Sequence, residues 1–132
     1  MTTLITDAEL NAEADRSAGQ INALSLHTAS PGTTGANEAS GGSPLYARKA
    51  PVFNAAGAVG PLGAILQPAT VGVAWSNEVV FDVPAGSYTH WGGWSALTGG
   101  VYKRGNTLST TQSPSGQAVI VLSISVGPYA GA

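Results

Sequence analysis

Residues 78–94 read EVVFDVPAGSYTHWGGW. Val79, Phe81 and Val83 alternate with Glu78, Val80 and Asp82, which is the period of a half-buried strand. Pro84, Ala85 and Gly86 then supply a turn. Tyr88 to Trp94 returns as a second strand, with Tyr88, His90 and Gly92 on one face and Thr89, Trp91 and Gly93 on the other. The stretch predicts a β-hairpin. Trp91 and Trp94 stand three apart, so a regular strand puts them on opposite faces and at least one belongs in a core.

Strand signals continue on both sides. Ile21 to Thr28 shifts into alternation at Leu24-Ser25-Leu26-His27 and predicts a half-buried strand ending near Thr28. Tyr46 to Phe53 reads as another strand, placed at an edge or bulge by Pro51, which has no amide to give to a ladder. Short apolar runs at Ile65-Leu66 and Val71 to Trp75 give weaker strand signals. Val101 to Arg104 and Leu108 to Thr111 give two more, and Ser113 to Gly116 turns the chain. In Gln117 to Val126, Val119, Val121 and Ser123 alternate with Ile120, Leu122 and Ile124, so both faces are apolar enough for a central strand covered on both sides. The fold class is mainly β, an antiparallel β-sandwich or jelly roll of about eight short strands.

One helix precedes them. Thr6, Asp7, Ala8 and Glu9 form a capping box in which Thr6 accepts from the Glu9 amide, and Ile5 and Leu10 hold the staple positions. Acidic Asp7, Glu9 and Glu13 lie toward the positive end of the dipole and Arg16 toward the other, with Gly19 as the stop. A helix over about 7–18 follows. Its apolar face is thin, Leu10 backed mainly by alanines, so it must pack on something else. The expected organisation is a helical docking segment, 1–20, followed by a β-sandwich domain, 21–132. Leu4, Ile5 and Leu10 are candidate contacts of the docking segment.

Composition bounds the function. The chain has 132 residues, 18 Gly and 8 Pro, and only 9% of its residues are charged, against about 25% in an ordinary soluble domain. So neutral a surface is relieved by burial against copies of itself or a partner, which points to an assembly component. Five basic side chains against seven acidic ones give a net charge of −2; no basic patch is present to neutralise a run of phosphates, and nucleic-acid binding is disfavoured. There is no Cys, hence no disulfide framework, thiolate or Cys-type zinc site. The N-terminus lacks a signal-peptide pattern, and no run approaches the roughly 20 apolar residues of a membrane span.

Catalytic motifs are weak. His27 and His90 are the two histidines, and no partner stands at metal-ligand spacing, so each reads as a strand histidine bonded to backbone or water. Asp82 and His90 with a serine would need triad geometry that a sequence does not supply, and no GxSxG elbow occurs. Gly41-Gly42 and Gly99-Gly100 lack the Lys-Ser/Thr ending of a phosphate loop and read as turns. No catalytic residue, cofactor or metal is assigned. Trp75, Trp91 and Trp94 are candidate glycan contacts, since aromatic faces stack on sugars, and core packing competes with that role. Arg48-Lys49 and Lys103-Arg104 are candidate partners for the acidic helix of a neighbouring chain. The segment 29–44 is almost all Ser, Pro, Gly, Thr, Ala and Asn, a long turn-rich loop that either orders against a neighbour or carries function. Within it Pro31-Gly32 and Thr33-Thr34-Gly35 permit successive tight turns, while Asn37 and Glu38 can bond backbone groups and hold the loop.

LSLHTASPGTTGANEASGG at 24–42 resembles a motif of small tail-fibre-like or minor tail proteins of tailed bacteriophages that infect actinobacteria. YARKAPVF at 46–53, EVVFDVPAGSYTHWGGWSALTGG at 78–100 and the apolar C-terminal strand follow in the order of such domains, so the likeness spans about 20–126. It departs from the pattern at Ser30, where an acidic residue is expected, and at Pro44-Leu45, where the junction is usually shorter. The resemblance implies a β-rich, non-enzymatic virion component, made in the host cytoplasm and assembled as a homo-oligomer, with a trimer favoured, against other virion proteins. Pro31, Asn37, Glu38, Arg48 and Lys49 then become candidate interface residues beside Leu4, Ile5 and Leu10. A capsid decoration protein and a receptor-binding glycan module are the competing functions; a hydrolase is a distant third.

Overall fold

The computed structural model describes residues 4–127. The chain is mainly β, with one N-terminal helix and antiparallel strands in small sheets. The elements are α1 (Asp7–Ala18), β1 (Ala23–His27), β2 (Ala74–Trp75), β3 (Val79–Val83), β4 (Tyr88–Trp94), β5 (Tyr102–Gln112), β6 (Ala118–Leu122) and β7 (Ser125–Val126). They fall into two compact units: one holds α1 with the segment 52–78 and the chain from Ser123, the other holds 21–51 and 79–122.

In the first unit Thr6 caps α1 as its sequence predicts, accepting from the Glu9 amide at 3.2 Å. The helix compensates for its thin apolar face with polar side chains. Asn11 Oδ1 accepts from the Gly72 amide at 2.8 Å, and Asp15 Oδ1 accepts from the Ala56 amide at 2.7 Å. Only small side chains, Ala14, Ser17 and Ala18, are buried along it. Beside it β2 pairs with β7, Ala74 opposite Val126. Below that pair lies a satisfied polar centre. Buried Gln67 donates through Nε2 to the Ser76 carbonyl at 2.7 Å and to Ser123 Oγ at 2.8 Å, and accepts from the Leu62 amide at 2.9 Å. A buried amide so bonded costs little, whereas an unmade bond there would cost about 1–3 kcal/mol.

The second unit has two sheets, β1-β4-β5 and β3-β6. β3 buries Val79, Phe81 and Val83, the face its alternation predicts, and pairs with β6 so that Val80 faces Val121 and Asp82 faces Val119. The predicted 78–94 hairpin is not formed: β4 pairs with β1 and β5 instead. The turn at 84–87 is real, but it passes the chain from one sheet to another, a choice made by burial of both strands rather than by the turn. The two strands predicted at 101–104 and 108–111 are one, β5. Gly105, in the gap between those two segments, lies opposite Gly92 in the ladder, and Tyr102 packs over both glycines.

Two other strand readings are corrected. Tyr46 to Phe53 is no strand: Lys49 exchanges both backbone bonds with Leu24, at 2.7 and 3.1 Å, and Phe53 forms a lone bridge to Ser76. Pro51 ends any ladder between them. Ile65 and Leu66 are exposed and outside any strand. The predicted central strand 117–126 breaks at Ser123-Ile124 into β6 and β7, and β6 pairs only with β3, its Val119 and Val121 exposed. β1 differs in the opposite sense. All five of its residues are buried, Ser25 and His27 included.

Candidate functional site

The site grows from the loop that follows β1. Pro31 O accepts from the amides of Gly35 and Ala36, closing the first turn. Asn37 holds a left-handed φ of 64°, a conformation Asn tolerates better than most residues, and its Nδ2 donates to the Ser30 carbonyl at 3.0 Å. Its own carbonyl accepts from Thr28, and the Ala39 amide donates to Leu26 O at 2.8 Å. The loop therefore leaves β1 and returns alongside it, delivering the Glu38 side chain to a fixed place.

There Glu38 meets Arg48. Arg48 Nε donates to Glu38 Oε2 at 3.0 Å and its terminal nitrogen to Oε1 at 2.9 Å, a bidentate pair. The other terminal nitrogen donates to the carbonyls of Ala96 and Gly99 at 3.1 and 2.7 Å. The guanidinium carbon lies 3.6 Å from the centre of the Trp94 ring. Side-chain exposure of 12% for Arg48 and 22% for Glu38 places the pair nearer the buried than the surface regime, where geometry decides its worth. Tyr46 completes it. Its hydroxyl donates to Glu38 Oε2 at 2.9 Å and accepts from the Leu26 amide at 3.1 Å. Burial, more than the carboxylate beside it, pushes the Tyr46 hydroxyl far above its usual range, so it stays a donor. One arginine thus ties together three loops, 29–38, 44–49 and 95–101.

Beneath the clamp runs a directed chain of hydrogen bonds. Trp94 Nε1 donates to Ser25 Oγ at 2.8 Å. Ser25 Oγ lies 2.7 Å from His27 Nε2, and His27 Nδ1 lies 2.7 Å from the Ala36 carbonyl. A carbonyl only accepts, so the proton sits on Nδ1, Nε2 is the acceptor, and Ser25 donates to it. Burial holds the His27 pKa below its ordinary value, opposed by the Ala36 carbonyl and the Glu38 charge, and the neutral ring is the form this chain requires. Ser25 and His27 stand as a nucleophile and base would. Both are 0% exposed, sealed from any substrate carbonyl, and the pair serves to anchor loop and indole. Glycines admit the rings. A Cβ at Gly35 would lie 2.6 Å from Trp94 Cζ2, and one at Gly92 2.6 Å from both Ser25 Oγ and His27 Nε2. Tyr102 stacks edge-on against Trp94 at 5.2 Å between centroids.

Of the residues singled out from sequence, Glu38, Arg48 and Trp94 come together here, although the sequence offers them separately, Glu38 as loop brace or interface residue, Arg48 as interface residue and Trp94 as core or glycan contact. Asn37 braces the loop, and buried Pro31 packs on Gly105. Glu38 bonds side chains rather than the backbone groups expected of it. Arg48 spends four N–H groups within its own chain and has none of these to offer a neighbouring helix; Lys49 is half-buried and holds β1 through its backbone. Trp91 is 8% exposed, in the core. Trp75 belongs to the other unit, half-buried, its Nε1 donating to Pro68 O at 2.9 Å. Leu4 is exposed, Ile5 marginally so, and Leu10 half-buried. Ser25, Tyr46 and Tyr102 were not foreseen as parts of a site. Ser25 and His27, two apart in an otherwise apolar strand, carry the signal that could have found it, a polar stripe that must be buried with partners. Among the described residues no group of three His, Asp or Glu could hold a metal ion.

The model of one protein family, described as Podophage GP4 fiber I protein gp80, matches residues 10–126. The chain belongs to this gp80 fibre family. It is accordingly a structural protein of a phage fibre, a component of the virion, and the match takes in the whole clamp from Ser25 to Tyr102. No curated protein and no solved structure matches the chain significantly. No helix among the described residues is long and apolar enough to cross a membrane.

Proposed function

We propose that this gp80-family chain is a tail-fibre-like minor tail protein of a tailed phage, without enzymatic activity, that assembles as a homo-oligomer, trimer favoured, against other virion proteins. The observation that carries the reading is the clamp: Glu38, Arg48 and Trp94 spend a half-buried bidentate ion pair, a cation–π stack and two carbonyl bonds on holding loops that have little ladder of their own. Such loops present a fixed surface of small neutral side chains, suited to close approach of another subunit. The segment 1–20 acts as a docking element through Leu4 and Ile5, whose side chains α1 does not bury.

The test combines light scattering of the purified chain with antibody labelling of intact particles. A defined oligomer and label confined to the tail are expected. Label spread over the head would replace this reading with capsid decoration, and a monomer absent from particles would overturn it. Glycan binding by Trp75 is checked separately: retention on host cell-wall glycan, lost in a folded Trp75→Ala variant, would make the protein a receptor module.

A further inference from the structure

The β3-β6 ribbon has an inner face fully buried by Val79, Phe81, Val83, Ile120 and Leu122. Its outer face should be polar if water covered it. Instead the outward positions are Val80, Val119 and Val121, exposed by 49%, 61% and 51%, with Asp82 as the charged member. The register makes these four one patch, Val80 opposite Val121 and Asp82 opposite Val119. This is the second apolar face of β6, chemically suited to burial and left exposed among the described residues of its own unit. Elsewhere in the same unit, Leu97 and Val101 are also exposed. They stand on the β4–β5 turn, fixed by the Ser95 amide to Val101 O at 2.9 Å, by the Val101 amide to Ser95 Oγ at 2.7 Å, and by Arg48 on the carbonyls of Ala96 and Gly99. Lys103, two residues beyond Val101 and exposed, is the adjoining cation.

We propose that copies of this chain associate head to tail, the Val80/Val119/Val121 face of one protomer covering the Leu97/Val101 corner of the next, with Asp82 against Lys103. This rests on the oligomer reading above and gives it surfaces. Charge selects the arrangement. Packing the valine face on its own copy would bring two Asp82 carboxylates together and leave them unpaired, which disfavours a two-fold dimer. Pairing it with the basic corner satisfies both charges, in a chain where charged residues are few. A heterologous contact of this kind closes into a ring when its rotation permits, the geometry a trimer needs.

The experiment is a charge swap on the full chain, read by sedimentation velocity, with circular dichroism as the check on folding. Asp82→Lys and Lys103→Asp each place like charges in the contact and should weaken association roughly tenfold or more. The double variant exchanges the two signs and should return association to within about threefold of the parent, roughly 0.65 kcal/mol. Val121→Ser should weaken it without a charge change. A parent oligomer indifferent to both single variants, or not restored by the double, overturns the assigned surfaces while leaving the oligomer intact. A parent chain monomeric at every concentration overturns the oligomer reading as well.

Discussion

Replacing Arg48 with Met keeps the apolar stem of the side chain and removes the guanidinium charge that the clamp is built on. The loss has three parts. Glu38 keeps only the Tyr46 hydroxyl, at 2.9 Å, as partner for a carboxylate 22% exposed. Orphaning a buried charge costs about 3–5 kcal/mol, breaking an exposed pair about 0–1, and this exposure puts the cost at about 2. The stack on Trp94 adds about 1 kcal/mol. The carbonyls of Ala96 and Gly99 lie on a surface turn and regain water, adding little. The sum, about 3 kcal/mol, is a large part of a domain stability of about 5–15 kcal/mol. Urea unfolding followed by tryptophan fluorescence measures it, because the perturbed indole reports directly. Glu38→Gln combined with Arg48→Met removes the orphaned charge, so the double variant should be more stable than the sum of the single losses by about 1–2 kcal/mol. A loss below about 0.5 kcal/mol for Arg48→Met, or strict additivity in the cycle, would refute the claim that this pair is buried enough to organise the loops.

Three further outcomes are expected. Gly35→Ala forces a φ of 78° on an L residue and drives a methyl into Trp94, so it should cost at least the roughly 1–2 kcal/mol of a left-handed alanine and quench or shift the indole emission; a melt superimposable on the parent's would contradict the packing. Because the folded His27 pKa is depressed, the unfolded chain takes up the proton first: the contribution is intact above about pH 6.5 and is lost as pH falls toward the folded value. Stability should therefore decline by at most about 1.4 kcal/mol per pH unit through this group, a slope that His27→Asn should remove, and an equal slope in both proteins would assign the acid sensitivity elsewhere. Thr6→Ala should cost about 1 kcal/mol and fray the start of α1, visible as lost helical ellipticity.

What the sequence disclosed follows the range of the forces involved. The helix was legible because a capping box and a dipole-matched charge pattern act within one turn, and β3 because alternation records burial strand by strand. The pairing of strands was not. A proline-glycine turn says that the chain reverses, but whether the reversed segment joins its neighbour or another sheet depends on which faces find cover. Thus β4 lies between β1 and β5, and β3 finds β6. The continuity of β5 through Gly105 was hidden for a related reason. A glycine is needed there because it faces Gly92 and both lie beneath Tyr102, a three-body requirement with no local signature.

The site shows the same division. Glu38 and Arg48 stand out in a chain of so few charges and Trp94 as a large aromatic, yet the sequence leaves each between an internal and an external role, because it shows a residue's capacity to bond and not where the bond is made. Separations of 10 residues between Glu38 and Arg48 and 69 between Ser25 and Trp94 are closed only by the fold. Once closed, they change what the loops can do. A segment of Ser, Gly and Thr would by composition be a mobile linker, and a half-buried arginine with four bonds turns it into a rigid ledge. Rigidity without a ladder leaves the backbone edge and the small side chains of the loop facing outward at fixed positions, which lowers the ordering cost of contact with another subunit. In the homo-oligomer proposed above, where one contact would recur between copies, that saving would be made at every interface.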